Sequence, residues 1–406
     1  MKWTKILLCA ALAWLPFSVG AATFEVGLVT LTLYMTSILL LIPMALYRKL
    51  IGKYPFGLRL IDYGIILLCS SYLTSTLFAS NPLGAGYLAV HAIFVPVASY
   101  YVIKALVETE KEYRHTITAL TIGFSLFSLV ALAAFIESGM TMRVRVLSRD
   151  AIAVSTMSMV ALVVLFISTT APRLIRRFGI LASMGGLVAS MARSYLVLLV
   201  FAPGIWRIVR AGRGFLLIVI FLGASLGGTL FLSSNLELMK AKGWKPGQEN
   251  GIERLTNIEY WKEGLHGRLL TFRESLRHFE AAPIFGTGLR PPDELGSTVH
   301  NFHLEWLEYG GVAGYLLCAG ILLLHFMSSQ TIAVTDPRCA GNLTMMFLLF
   351  ANGLTNGMMH GLMPYLFFIL LGLNEARLNI SKQGSTVPPQ GVIENRSTHE
   401  PRILGF

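Results

Sequence analysis

Charge is what this chain has least of. Of its 406 residues only 14% are charged, against 54% hydrophobic, where a soluble chain carries about 25% charged residues. The chain reads as an integral membrane protein. Cysteine is also scarce. Its four residues, Cys9, Cys69, Cys318 and Cys339, are scattered, and three lie inside apolar runs, so there is neither a disulfide framework nor metal-ligand spacing. The four aspartates, Asp62, Asp150, Asp293 and Asp336, are isolated from one another. That argues against a transferase that needs clustered carboxylates to hold magnesium or manganese. Neither a P-loop nor a GxGxxG is present, so no ATP or dinucleotide site is visible. The expected cofactor set is therefore none, with no metal and no nucleic-acid partner.

What is present is a series of apolar runs, each compared with the about 20 residues that a spanning helix requires. They fall at residues 5–21, 24–46, 60–79, 84–106, 116–136 and 152–170, then 178–206, 215–232, 303–327, 343–359 and 362–375. The first run follows Lys2 and Lys5 and is read as a retained helix, because a second apolar run begins at once. The run 178–206 has Arg193 at its middle. One tilted span and two short helices meeting near Ser190–Ser194 are the alternatives. Two arms place the basic stretches Arg48–Arg59, Arg173–Arg177 and Arg207–Arg213 on one side, as the positive-inside bias requires. On that count the fold class is an all-α polytopic membrane protein of about twelve spans. The organisation is an N-terminal bundle over 1–232, an external loop over 233–302, C-terminal spans over 303–376 and a polar tail over 377–406.

Two stretches carry cations against the topological bias. Residues 137–150 hold Arg143, Arg145 and Arg149; the loop 233–299 holds Arg254, Arg268, Arg273, Arg277 and Arg290 with four lysines. Positive charge in that position asks for an anionic partner, and arginine is suited to bidentate phosphate recognition. The alternative is pairing with Glu253, Glu259, Glu263, Glu274 and Glu280, or with anionic membrane lipids. Arg193, a charge inside an apolar run, is a functional candidate by default. Residues 267–281 carry Phe272, Leu276 and Phe279 at helical spacing and read as an amphipathic helix, with Arg268 at its N-terminal end.

His300 is the candidate general base. An imidazole titrates near ~6.5, and this one follows a Gly/Pro/Ser-bearing loop just ahead of a span. Asn301 is placed to orient it or an acceptor. Glu305 and Glu308 are reserve bases, and His360 is a weaker candidate. His300 and His303 share a helical face, but no third metal ligand accompanies them.

The run that joins Gly267-Arg268, Pro283, Gly286-Thr287-Gly288, His300-Asn301, Leu304, Leu307 and Gly311-Val312-Ala313-Gly314 resembles the O-antigen ligase family of bacterial glycosyltransferases. The order Ala192-Arg193-Ser194 departs from that family's common Ser-Arg-Gly. The resemblance implies a GT-C-like bundle in the bacterial inner membrane with its active site on the periplasmic face. It implies transfer of a glycan from undecaprenyl pyrophosphate to lipid A–core, without metal and with inversion. In that scheme Arg193 and Arg268 hold the pyrophosphate, Arg145 and Arg290 are weaker candidates, and His300 is the base. The same family contains polymerases that extend lipid-linked glycans. A transporter of lipid-linked glycans is the reading from a different class. It would spread charge through several spans, whereas the sequence suggests that intramembrane charge is nearly confined to Arg193.

Overall fold

The computed structural model describes residues 2–18, 23–26, 29–51, 58–139, 151–167, 173–234, 271–289, 300–359 and 361–385. Their regular structure is helical apart from one antiparallel hairpin, Thr23–Val26 against Val29–Thr32, in which Thr23 pairs with Thr32. The run read as an apolar span from residue 24 therefore starts later as a helix. Threonine and valine crowd residues 23–32, and β-branched side chains favour extended backbone. Thr32 ends the hairpin and its hydroxyl accepts from Met35 N–H, capping the next helix.

The helices are α1 (Lys2–Trp14), α2 (Leu33–Ile51), α3 (Leu60–Leu77), α4 (Pro82–Leu106), α5 (Glu110–Glu137) and α6 (Ala151–Ile167). They continue as α7 (Arg173–Ser190), α8 (Arg193–Ile208) and α9 (Gly214–Ser234), then α10 over 271–281. The last are α11 (Phe302–Thr335), α12 (Pro337–Asn356) and α13 (Met363–Ser385). Six helical stretches among the described residues are long and apolar enough to cross a membrane, and two shorter apolar ones accompany them. Large apolar side chains stand on the outside, among them Leu67 at 56%, Leu174 at 80% and Leu316 at 62% exposure. A helical membrane protein explains both facts.

The interruption expected near Ser190–Ser194 is present. α7 ends at Ser190, Met191 takes a positive φ of 49°, and α8 begins at Arg193. The arms are 18 and 16 residues long, so about 27 and 24 Å at 1.5 Å per residue. They exceed the ~18–20 Å that the apolar run alone suggests, because α7 starts at Arg173, ahead of that run. A second reversal lies at Gly212, φ 74°, between α8 and α9.

Polar contacts sort the helix ends into two faces. At the first, Lys5 pairs with Glu112, Arg48 and Lys49 with Glu108, and Arg59 with Glu375. Arg338 and Arg377 meet Glu110 there, and Arg377 also meets Asp336. These are the ends of α2, α4, α11 and α13 and the beginnings of α1, α3, α5 and α12. The second face gathers the opposite ends, where Ser75 near the end of α3 donates to the Tyr309 carbonyl at 2.6 Å.

Two expectations are corrected at the first face. α13 runs to Ser385, so residues 377–385 are helix rather than tail. Arg377 is held by Asp336 and Glu110, and Asn379 accepts from Arg59 at 2.6 Å, which carries the helix past its apolar stretch. Buried charge is also not confined to Arg193. Asp62, Glu305, Glu308 and Glu375 are each 0% exposed, and Lys104 is 7% exposed. Asp62 accepts from Lys104 at 2.5 Å, from Tyr100 at 2.9 Å and from the Arg59 N–H at 2.7 Å. Sequence alone shows Asp62 and Lys104 as separate charges at the ends of two runs; their pairing across α3 and α4 is what makes burial tolerable.

Removing one partner strands the other. Lys104→Met is expected to destabilise the detergent-solubilised protein by ~3–5 kcal/mol, and adding Asp62→Asn to recover most of that loss; paired thermal unfolding curves check both.

Candidate functional site

The second face is assembled around a break in α11. Gly311 adopts φ 63°, ψ −165°, a conformation essentially restricted to glycine. The break leaves the Val312 and Ala313 N–H groups without intrahelical acceptors. They donate instead to the carbonyls of Pro283 and Ile284, at 2.8 and 3.1 Å. In return the Thr287 N–H donates to the Glu308 carbonyl at 2.8 Å, and the Gly288 N–H to the Tyr309 carbonyl at 3.2 Å. The loop 283–289 thus completes the interrupted helix on both sides of the gap.

Close backbone contact is what demands the glycines. Gly286 and Gly288 have φ of 74° and 77°. A side chain at Gly286 would overlap the Tyr309 carbonyl, and one at Gly311 the Ile284 carbonyl; at Gly288 it would meet Ala79 Cβ at 2.9 Å. The Gly-Thr-Gly turn and the Gly-x-x-Gly element, far apart in sequence, form one joint.

This joint positions the start of α11. Asn301 caps the helix, its Oδ1 accepting from the His303 and Leu304 N–H groups at 3.0 and 3.3 Å. Its Nδ2 donates to Thr229 Oγ1 at 3.1 Å and to the Leu354 carbonyl at 3.3 Å. Both lone pairs and both N–H bonds are thus occupied. Asn301 fixes the backbone of its neighbour His300, which is half-buried; its side chain has no capacity left for an acceptor sugar.

Arg193 lies at the same end of the bundle. The residues after it tie the turn to α12: Ser194 donates to Asn352 Oδ1 at 3.4 Å, and Asn352 Nδ2 donates to the Tyr195 hydroxyl at 2.5 Å. Asn352 and Leu354 belong to one turn of α12. The start of α8, carrying Arg193, and the start of α11, carrying His300, are therefore both anchored to that turn. Arg193, half-buried, opens α8, where a cation gains nothing from the helix dipole.

Arg268, Arg145 and Arg290 lie outside the described residues, as does His360. Of the helix expected over 267–281, residues 271–281 are described and helical. Phe272 is buried and packs with Leu304, joined by Leu232 and Leu276, while Arg273 and Arg277 are exposed. The apolar face is thus covered in part by α9 and α11. Arg277 pairs with Glu274 at 3.3 Å, so for this arginine the local carboxylate is its partner.

The remaining candidates have structural partners. Glu305 Oε2 accepts the N–H groups of Met358 and Met359, which ties α11 to the turn between α12 and α13. His303 is bonded through Nε2 to Ser225 at 2.7 Å and through Nδ1 to Tyr315 at 3.0 Å, leaving neither ring nitrogen for a metal. Among the described residues no group of three metal-binding side chains occurs. Glu308 bonds His278 Nδ1 at 2.9 Å. Reading for arginines on α10 overlooked this His–Glu pair. The signal available was weak: His278 follows Glu274 by one turn, but nothing local points to Glu308.

Chemically the face offers an imidazole of fixed backbone, a second imidazole oriented by a carboxylate, and a guanidinium at a helix break. That set can move a proton and bind an anion. Gly311→Ala, which must force a side chain into the Ile284 carbonyl at positive φ, is expected to abolish folded yield as judged by size-exclusion chromatography. Asn301→Ala, which removes a cap and leaves buried partners, is expected to cost about 1–3 kcal/mol in thermal unfolding.

No protein-family model matches this chain, and no curated protein matches it.

Proposed function

We propose that the chain is a twelve-span, GT-C-like glycosyltransferase of the bacterial inner membrane, with its active site on the periplasmic face. It transfers a glycan from undecaprenyl pyrophosphate to lipid A–core, as an O-antigen ligase does. The observation that carries the reading is the anchoring of the Arg193 turn and the His300 segment to the same turn of α12. One end of the bundle thereby gains an anion-binding group and a proton acceptor on a common support. ATP and nucleotide sugars are absent from that compartment, so the donor must arrive activated on a lipid.

In this mechanism His300 takes the proton from an acceptor hydroxyl. The oxygen attacks the anomeric carbon from the face opposite the leaving group. The bond from that carbon to the pyrophosphate oxygen breaks, and the electron pair leaves with undecaprenyl pyrophosphate. Arg193 and Arg268 hold the pyrophosphate and stabilise the charge it gains, the part a metal ion takes in other transferases. Asn301 acts as a positioning residue through the backbone it caps.

The His278–Glu308 pair supports a second assignment of the base within the same reading, since a carboxylate bonded to one ring nitrogen fixes the orientation of the imidazole. Comparison of single variants separates the two. His300→Ala, Arg193→Ala and Arg268→Ala are each expected to abolish transfer in protein that still inserts and folds. His278→Ala is expected to retain at least a tenth of the activity; the reverse pattern moves the base to His278. Activity is expected to persist in chelator.

A reconstituted reaction decides the product. Labelled undecaprenyl-pyrophosphate glycan is supplied with and without lipid A–core. Label on lipid A–core identifies a ligase; a ladder of longer lipid-linked glycans in its absence identifies a polymerase. Bound glycolipid with no product in either tube identifies a transporter, whose case gains from the buried charges Asp62, Lys104 and Glu375.

A further inference from the structure

The two helices that meet at Met191–Ala192 do not stay together. α7 packs on α5 and α6, and α8 on α12. They diverge from the turn that carries Arg193 towards the opposite, ion-paired face. The wedge between them is a cavity of about 960 Å³, the volume class of ligand sites. Its back wall is Val163, Phe166 and Ile167 of α6. Met184 lines it from α7, and Leu199, Ala202, Pro203 and Trp206 line it from α8. Phe166 is 55% and Met184 44% exposed, so the wedge opens sideways through the apolar exterior of the bundle.

At its wide end the lining changes character. Asp336, Arg338, Arg377 and Ser381 stand there. Three guanidinium groups, Arg114, Arg338 and Arg377, share the two carboxylates Glu110 and Asp336. Arg210 lies 5.7 Å from the centre of the Trp206 ring and adds a further cation. The local balance is positive. Arg338 donates to Glu110 through Nη1, and Arg377 uses Nε and Nη1 for Asp336 and Glu110. Those bonds engage Nε and Nη1 but not Nη2 of the two arginines, and among the described residues the buried Trp206 indole nitrogen has no acceptor. The site thus pairs an apolar slot open to hydrocarbon with unfilled donors and surplus positive charge at one end.

We infer that this wedge is a binding site for an acidic phospholipid of the leaflet opposite the active site, with an acyl chain between α7 and α8 and the phosphate at Arg338, Arg377 and Trp206. A zwitterionic lipid would fit the slot equally but would bring no net charge to the cations. An inorganic phosphate would satisfy the donors but leave the slot unfilled. A lipid in this wedge braces α7 against α8 below the turn that carries Arg193. The inference does not depend on which glycan the protein transfers, or on whether it transfers one.

The test uses the full chain purified in detergent. Native mass spectrometry reads the lipid retained, and thermal unfolding reads the response to added phosphatidylglycerol, phosphatidylcholine or inorganic phosphate. The expected results are retention of an acidic phospholipid and a rise in melting temperature with phosphatidylglycerol, small or absent with the other two. Ala202→Trp, which fills the slot, is expected to abolish retention while the circular dichroism spectrum is unchanged. Trp206→Phe, which keeps an aromatic side chain but removes the indole N–H with the five-membered part of the ring, is expected to weaken phosphatidylglycerol binding about three- to tenfold and carries the test if the larger variant fails to fold. Equal protection by phosphatidylcholine overturns the headgroup assignment, and equal protection by inorganic phosphate overturns the acyl slot. Undiminished binding in both variants places the lipid elsewhere and overturns the proposal.

Discussion

An interrupted helix within an apolar bundle must find partners for the backbone groups it releases, and the second face of this protein is built on how that is done. The break at Gly311 frees two N–H groups and exposes the carbonyls of Glu308 and Tyr309. The loop 283–289 supplies both kinds of partner, with Ser75 of α3 adding a third. Without water, each unsatisfied group costs several kcal/mol. The loop is therefore part of the helix it completes rather than an appendage. Because α10 leads directly into this loop, its own position is fixed by the same bonds. The short helix 302–310 is then set at its other end by Asn301.

Charge is sorted between the faces according to what it has to do. At the first face, cations and carboxylates are matched across six or more helix ends, and the pairs lock the order of the bundle. At the second, Glu305 and Glu308 are turned inward towards backbone N–H groups and an imidazole. The buried Asp62–Lys104 pair belongs to the first pattern. Surface pairs contribute little to stability, but these are half-buried or fully buried, and breaking one leaves a charge in an apolar setting. They hold register as much as they add stability.

Much of this was legible from residues alone. The helical class followed from apolar run length, and the break near Arg193 followed from a single charge in a long run together with the distribution of basic stretches. The glycines at 286, 288 and 311 were recognisable as a motif. What they are for was not legible, because the contact joins backbone atoms more than twenty residues apart. Helix ends were the least readable. α13 outruns its apolar stretch because Arg377 and Asn379 find partners on other helices. The hairpin at 23–32 was hidden because β-branched residues suit a membrane helix and a strand alike. The polar partners of His303, Glu305 and Glu308 were equally out of reach: Ser225 and His278 lie on other helices, Met358 in a turn, and Tyr315 beyond the break in α11.

α12 supports the second face from within. Every residue from Cys339 to Phe350 is buried, so over that stretch this helix presents no side to the surroundings. Its last turn holds the Arg193 bend through Asn352 and the His300 segment through Leu354. A helix enclosed in this way is insulated from changes in bilayer thickness, which act on the outer helices through their apolar surfaces. Both segments are thereby joined to the helix that has the least contact with the lipid.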